Sequence, residues 1–290
     1  MIKLCLAFFL IFCPNRSISQ ISLVDDLQRK LTLDSPAQRI VSLAPSITET
    51  LFAIGAGNQV VGVTDYCNYP NEAKTKQRVG GVINPNIEAI IGLKPDLIVL
   101  SMEGNVREDF NKLTSFGIPV FVTNPRNLAG IYTSISQLGT LTGQPAQAMT
   151  LVHSLKMRAD SIVLAAFSSK SRKTLLFVSL QPIIVAGRGT FLAELIELAG
   201  GMNTAAQTSS TYPAYSREAV LKDNPDVLIF MSGILSNPAE LSQLYPEWKT
   251  LNAFRRKKIF VIDSDIVSRP GPRAVDGLEM LYKVIQEGHE

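Results

Sequence analysis

Histidine is almost missing from this 290-residue chain. Only His153 and His289 occur, so zinc centres built on several imidazoles, and Ser-His-Asp or Cys-His catalysis, lack their parts. Cysteine is as scarce: Cys5 and Cys13 lie in the first 19 residues, which leaves Cys67 alone for everything downstream. A single thiol excludes an internal disulfide, and the fold must stand on its apolar core. No charge of one sign dominates, with 28 Lys and Arg against 25 Asp and Glu for a net of +3. The basic runs 170–173 and 255–258 are short and lack interleaved aromatics, which argues against nucleic acid as a partner. Also missing are a G-x-S-x-G elbow, a Walker loop, a G-x-G-x-x-G after a strand and a cysteine cluster, so nothing positive marks an enzyme. Free zinc or manganese as cargo is disfavoured by the lack of a histidine and carboxylate cluster.

One long apolar run exists, and it opens the chain. Lys3 precedes the stretch from Leu4 to Cys13, followed by polar residues and a small-x-small site at Ser17-Ile18-Ser19. This pattern predicts a secretory signal over residues 1–19, cleaved after Ser19, because ten apolar residues fall short of the ~20 that span a bilayer. Cys13 follows Phe12 where a lipobox wants a small residue, which weakens a lipoprotein reading. Loss of Lys3 and Arg16 leaves 26 basic against 25 acidic residues, an exported, near-neutral chain starting at Gln20.

Beyond the signal, strands and helices alternate. Residues 21–33 read as a short hairpin, and Arg39 to Leu43 as a buried strand. Ser46-Ile-Thr-Glu49 has the spacing of a capping box opening a helix that closes near Gly55 or Gly57. Apolar strands follow at 60–64, 96–101 and 118–123, with a helix at 107–116 closed by Gly117. Continuous apolar strands separated by helices indicate a parallel sheet covered on both faces. From Pro145 to about Ser168, apolar residues recur every three or four positions without an internal Gly or Pro, which predicts one long helix of about 36 Å. Strands then restart at 174–180, 226–231 and 258–263, before a helix after Pro270.

An internal repeat explains this restart. Shifted by 130 residues, Asn86-Ile-Glu88-Ala89 falls on Ser216-Arg-Glu218-Ala219, and Pro95-Asp96 falls on Pro225-Asp226. Each copy reads as a helix N-cap, a short helix, a Pro-Asp turn and a buried strand. A weaker match at a shift of 144 aligns residues 54–57 with 198–201. Two copies are too few for a solenoid, so the expected architecture is α/β, with two Rossmann-like α/β lobes joined by a long rigid α-helix. The boundaries read as 20–143 for the first lobe, 144–170 for the linking helix and 171–290 for the second lobe. Glu88 and Glu218 then stand at equivalent helix starts, suited to the helix dipole, or to arginines on a two-fold symmetric partner.

Taken together, Arg39-Ile-Val-Ser-Leu-Ala-Pro-Ser-Ile-Thr-Glu49, Gly62-Val-Thr-Asp-Tyr-Cys-Asn-Tyr-Pro70, Asn86-Ile-Glu88, Leu93-Lys-Pro-Asp-Leu97, Ser216-Arg-Glu218 and Arg269-Pro-Gly-Pro-Arg273 resemble the class III substrate-binding proteins of ABC importers. That family serves cobalamin, haem and ferric siderophores, and the resemblance covers about residues 24–285, nearest its cobalamin-binding branch. It implies an exported, monomeric binder without catalytic residues or a resident cofactor, holding one ligand between two lobes. It also implies that Glu88 and Glu218 dock onto arginines of a permease dimer served by an ATPase. Tryptophans that line the familiar cobalamin cleft are replaced here by Val82, Ser101 and Tyr212, while the sole Trp248 lies elsewhere. A cobinamide-like corrinoid, a haem or a siderophore therefore stays open beside cobalamin. A sensor for a membrane receptor would use the same fold.

Ligands of such lobes sit beyond the carboxyl ends of the strands. This places the expected pocket at Ala44, Pro45, Tyr66, Cys67, Tyr69, Val82, Met102, Glu103, Gln181, Tyr212 and Tyr215. The four tyrosines suit the wide apolar face of a corrinoid, and Arg126, Arg188 and Arg269 are the cations available to an anionic ligand. Cys67 reads either as a ligand contact or as a small buried packing residue. His153 reads as a partly covered residue beside the apolar stripe of the long helix.

Overall fold

The computed structural model describes residues 20–102, 104–105, 107–235 and 237–287. The expected signal segment lies outside the described residues.

A hairpin of β1 (Ile21–Val24) and β2 (Lys30–Leu33) precedes the first lobe, and its Asp26 N–H donates to the Val122 carbonyl at 3.1 Å. The lobe runs through β3 (Ile40–Ser42), α1 (Pro45–Ala53), β4 (Val60–Val63), β5 (Gln77–Arg78), α2 (Ile87–Gly92), β6 (Leu97–Ser101), α3 (Arg107–Ser115), β7 (Val120–Thr123) and α4 (Leu128–Leu141). A single helix, α5 (Pro145–Phe167), leads out of it. The second lobe contains β8 (Arg172–Leu180), β9 (Ile183–Val185), α6 (Phe191–Leu198), β10 (Gly201–Asn203), α7 (Arg217–Asp223), β11 (Val227–Met231), α8 (Pro238–Leu244), α9 (Asn252–Arg255), β12 (Ile259–Ile262), α10 (Ser264–Val267) and α11 (Ala274–Tyr282).

The two main sheets share one topology. Strands β4-β3-β6-β7 in the first and β10-β8-β11-β12 in the second both follow the order 2-1-3-4, all parallel. Each lobe adds one strand of its own: parallel β5 at the edge beside β4, and antiparallel β9 against β8. The repeat seen in sequence maps onto this symmetry. Asn86 Oδ1 accepts from the Ala89 N–H at 2.9 Å and Ser216 Oγ from the Ala219 N–H at 3.0 Å, so both caps form at the starts of α2 and α7.

Successive strand residues face opposite sides of a sheet. Ile40, Leu97, Val99, Val227 and Ile229 enter one large core, while Val41, Ile98 and Leu100 in the first lobe and Leu228 and Phe230 in the second enter separate outer cores. The large core is common to both lobes and runs unbroken from Leu33 to Ile285. It is filled by α1 and α4 on one side, α5 between, and α6 and α11 on the other. The lobes are therefore joined by a shared interior as well as by a connecting helix.

Helix α5 has 23 residues, about 34 Å at 1.5 Å per residue, and it buries Ala148, Leu155, Ala159 and Ala166 along one face. Three of those four are alanines, which lets α4 and α11 approach closely. At Gly139 on α4, an added Cβ would lie 2.4 Å from the Ala148 Cβ. His153 is exposed on this helix rather than partly covered, because it points away from that face.

The capping box expected at Ser46 and Glu49 does not form. Helix α1 starts two residues earlier with Pro45 at its first position, where a missing N–H costs nothing, and Ala44 is its N-cap without a side-chain bond. Glu49 is instead drawn into the opposite lobe.

Candidate functional site

In both sheets the parallel strands end at the same rim, and their following loops meet there. The first lobe brings residues 43–45, 64–70, 101–102 and 104–105, and the second brings 180–183, 204–215 and 263–273. Their meeting is direct. An added Cβ at Gly271 would lie 3.1 Å from the Ser46 carbonyl oxygen, a spacing that suits glycine where one lobe's backbone passes the other. Asn68 Nδ2 donates to Asp265 Oδ2 at 2.7 Å, and on the far side of the core the Leu128 N–H donates to Glu194 Oε2 at 2.7 Å. Burial pushes the Glu194 carboxyl up from its usual range, against the opposing pull of the Leu128 N–H.

A compact ionic group holds the rim together. Glu49, 3% exposed, accepts at Oε1 from Arg269 Nη1 at 2.9 Å and from Arg273 Nη2 at 2.7 Å, and at Oε2 from Arg273 Nε at 2.8 Å. Arg269 also pairs with Asp265 at 2.6 Å and donates to Asn68 Oδ1 at 2.8 Å. The Glu49 carboxylate holds the Arg273 guanidinium above its usual range. Arg269 thus serves the lobe junction and offers no free cation to a ligand.

Within the first lobe, Asn105 ties three loops. Its Nδ2 donates to the Leu43 carbonyl at 3.2 Å and the Val82 carbonyl at 2.7 Å, while its Oδ1 accepts from the Ser101 N–H at 2.8 Å. Arg78 ties a fourth, donating to the carbonyls of Thr64 at 2.7 Å and Cys67 at 3.0 Å. Sequence reasoning missed Asn105 and Arg78, placed Asn68 in the pocket loop from Asp65 to Tyr69 without a role of its own, and read Glu49 as a capping residue. An isolated polar residue carries no spacing signal; the Arg269-Pro-Gly-Pro-Arg273 pair was the one visible hint that a buried carboxylate was waiting elsewhere.

The expected pocket residues divide by exposure. Tyr66, Tyr69, Met102 and Tyr212 are exposed apolar or aromatic side chains on the rim, and Gln181 is exposed at the β8–β9 turn. Pro45 and Val82 are half-buried beside them. One face of the Tyr69 ring is already covered by the Arg273 guanidinium, 4.3 Å from the ring centroid. Glu103 lies outside the described residues. Ala44 is buried as the cap of α1. Two expectations are corrected. Cys67 is fully buried, its Sγ accepting from Thr48 Oγ1 at 3.1 Å and lying 3.1 Å from Thr64 Oγ1, so it packs the loop and has no surface to offer a ligand. Tyr215 turns from the rim to hydrogen-bond Asp223 at the far end of α7; burial first, and then that carboxylate, push its phenol pKa up.

Glu88 and Glu218 are exposed in the first turns of α2 and α7. The backbone N–H of Glu218 and the Ser216 hydroxyl hold the Glu218 carboxyl below its usual range. Arg126 and Arg188 are exposed on loops that follow β7 and β9. Among the described residues no group of His, Cys, Asp and Glu could hold a metal ion, and no helix is long and apolar enough to cross a membrane.

This architecture has known relatives. An uncharacterized ABC transporter substrate-binding lipoprotein, YvrC, of Bacillus subtilis (strain 168) is 32% identical over 90% of this chain and 84% of its own. The crystal structure of the periplasmic vitamin B12 binding protein BtuF of Vibrio cholerae is 30% identical, with a TM-score of 0.78 over 86% of this chain and 97% of that one. The periplasmic heme-binding protein RhuT from Roseiflexus sp. RS-1, in its apo form, has a TM-score of 0.79 at 26% identity, over 87% of this chain and 99% of that one. The family model described as periplasmic binding protein matches residues 40–266, and on that match, together with its 2-1-3-4 lobes, this chain belongs to the periplasmic binding protein family of substrate-binding proteins rather than to any enzyme class.

Proposed function

We propose that this protein captures a corrinoid between its lobes and delivers it to the permease of an ABC importer. The observation that carries this reading is the exposure of Tyr66, Met102 and Tyr212 on strand-end loops of both lobes. Large apolar side chains left open to water on facing loops suit a wide, flat and largely apolar ligand. Relatives that bind vitamin B12 support the same class. Haem is a second reading, favoured by the exposed phenols, since a tyrosine oxygen is a suitable axial ligand for ferric iron.

Calorimetric and visible-absorbance titrations with cyanocobalamin, dicyanocobinamide, hemin and a ferric hydroxamate siderophore test the ligand. Binding of a cobalamin or cobinamide supports the first reading. Binding of hemin alone, with a new phenolate-to-iron absorption, replaces it with the second.

Delivery rests on Glu88 and Glu218, exposed at symmetry-equivalent helix starts outside the cleft loops. They suit arginines on a two-fold symmetric permease, and removing one partner of such a pair costs about 2–5 kcal/mol when it is buried at an interface. The double reversal Glu88→Arg and Glu218→Arg should leave ligand affinity unchanged and abolish stimulation of transport in reconstituted vesicles. Normal transport by that variant at low protein concentration would reduce both residues to helix caps.

A further inference from the structure

The loop at residues 65–70 belongs to the first lobe in sequence, but the second lobe holds its tip. Arg269 Nη2 donates to the Tyr66 carbonyl at 3.4 Å, Arg269 Nη1 and Asp265 bracket the Asn68 amide at 2.8 and 2.7 Å, and Arg273 underlies the Tyr69 ring at 4.3 Å. Both arginines are set by one side chain from the first lobe, Glu49, whose two oxygens take three of their N–H groups.

We propose that Glu49 is a positioning residue for ligand capture: through Arg269 and Arg273 it fixes the loop bearing Tyr66 and Tyr69 in its cleft-lining conformation before a ligand arrives. This rests on the reading that the ligand occupies the interlobe cleft. The chemistry favours a positioning role over mere adhesion, because the shared apolar core already joins the lobes. An ion group adds direction: each guanidinium is a planar fork whose free edge points where its bound edge allows. The group is also balanced, with Glu49 and Asp265 against Arg269 and Arg273. Without the Glu49 charge, Arg269 keeps the Asp265 carboxylate, while Arg273 loses its carboxylate partner and retains the Asp265 carbonyl at 3.3 Å. The guanidinium under Tyr69 is then loosened, the one on Asn68 loses one of its two carboxylates, and the loop bearing both tyrosines loosens with them.

The test compares wild type with Glu49→Gln, which keeps the volume but offers one amide oxygen to three donors, and with Glu49→Asp, which keeps the charge. Hydrogen exchange read by mass spectrometry on peptides covering residues 64–70 needs no ligand. In Glu49→Gln with unchanged circular dichroism, exchange there should quicken about tenfold, the effect of losing one charge-assisted hydrogen bond, with β6 and β11 unaffected. Stopped-flow dissociation of whichever of cyanocobalamin, dicyanocobinamide or hemin the wild type retains should quicken by a similar factor, with association little changed. Glu49→Asp should recover part of both. Wild-type exchange at residues 64–70 in folded Glu49→Gln, or unchanged dissociation despite a loosened loop, would overturn the proposal. Failure of every probe to bind wild type would instead overturn the cleft reading, while the exchange arm still decides whether Glu49 holds the loop. Should Glu49→Gln not fold, Asn68→Ala removes the link at an exposed side chain and leaves the ion pairs in place; it is expected to show the same two effects, and wild-type behaviour in both would overturn the proposal.

Discussion

Asn105 illustrates how much a single amide can organise at the rim. Its three hydrogen bonds join the loops after β3 and β6 to the segment around Val82, so Asn105→Ala leaves two carbonyls and one N–H without partners. A loss of about 1–3 kcal/mol is expected in urea unfolding, and Asn105→Asp should be worse at neutral pH because its carboxylate faces two carbonyl oxygens. That Asp variant should recover towards wild type as pH falls and the acid can donate again. Cys67 offers the opposite lesson. With no exposed surface and two threonine hydroxyls on its sulfur, it should resist a disulfide reagent in the folded protein and react promptly in denaturant. Rapid labelling under native conditions would return it to the ligand pocket.

At the scale of elements, the crossing of α4 on α5 depends on the absence of a side chain. Gly139→Ala would set a methyl 2.4 Å from the Ala148 Cβ and 3.1 Å from the Gln144 carbonyl oxygen, so the helices must part. A cost of about 1–3 kcal/mol should appear in denaturant unfolding, and Gly139→Ala with Ala148→Gly should recover most of it. Glu194 binds the first turn of α4 from the other lobe, at the expense of its own hydration. Its pKa is raised on folding, so both states are protonated in acid, and the unfolded chain loses its proton first as pH rises. The fold therefore loses stability through that window. Glu194→Gln, which can still accept from the Leu128 N–H, should raise the thermal midpoint at pH 7, and the gain should vanish below about pH 4.

These elements were legible in the sequence where a period or a cap marked them. The 130-residue repeat, the apolar strands and the 23-residue α5 all follow from local pattern. Helix α1 was misjudged in its start because Ser46 and Glu49 have capping spacing, yet Glu49 is claimed by arginines 220 and 224 residues away. Local propensity has no view of such a partner. The rim where the strand-end loops of both lobes meet was legible as a set of loops, since every parallel strand must end somewhere, but the direction of each side chain was not. Tyr66 and Tyr215 look alike in sequence, and only the fold reveals that Tyr215 packs on the outer core of the second lobe and bonds Asp223.

For the molecule as a whole, the shared core changes what two lobes mean. A bilobed sequence suggests two units melting apart, whereas apolar packing that continues from Leu33 to Ile285 couples them. Trp248, fully buried and stacked 4.1 Å from Tyr245 in the outer core of the second lobe, reports that lobe alone by fluorescence. Its transition in urea should coincide with the loss of helix seen by circular dichroism over the entire chain. Two separated transitions would show that the interior at α5 is too weak to hold the lobes in one cooperative unit.

The ion group at the rim also sets an order of events in the life of the chain. Synthesis runs from the N-terminus, and every strand of the first sheet is complete once Thr123 has emerged. The partners of Glu49 arrive only with Arg269 and Arg273, after the last strand of the second sheet. Until then the first lobe holds a carboxylate that must stay hydrated, and the loop with Tyr66 and Tyr69 is held at Thr64 and Cys67 by its own lobe but lacks its second-lobe contacts. A chain stopped short of Arg273 could build two sheets and still present an unfinished rim. The rim is in this sense finished in a fixed order: residues made after both sheets set the loop made before them.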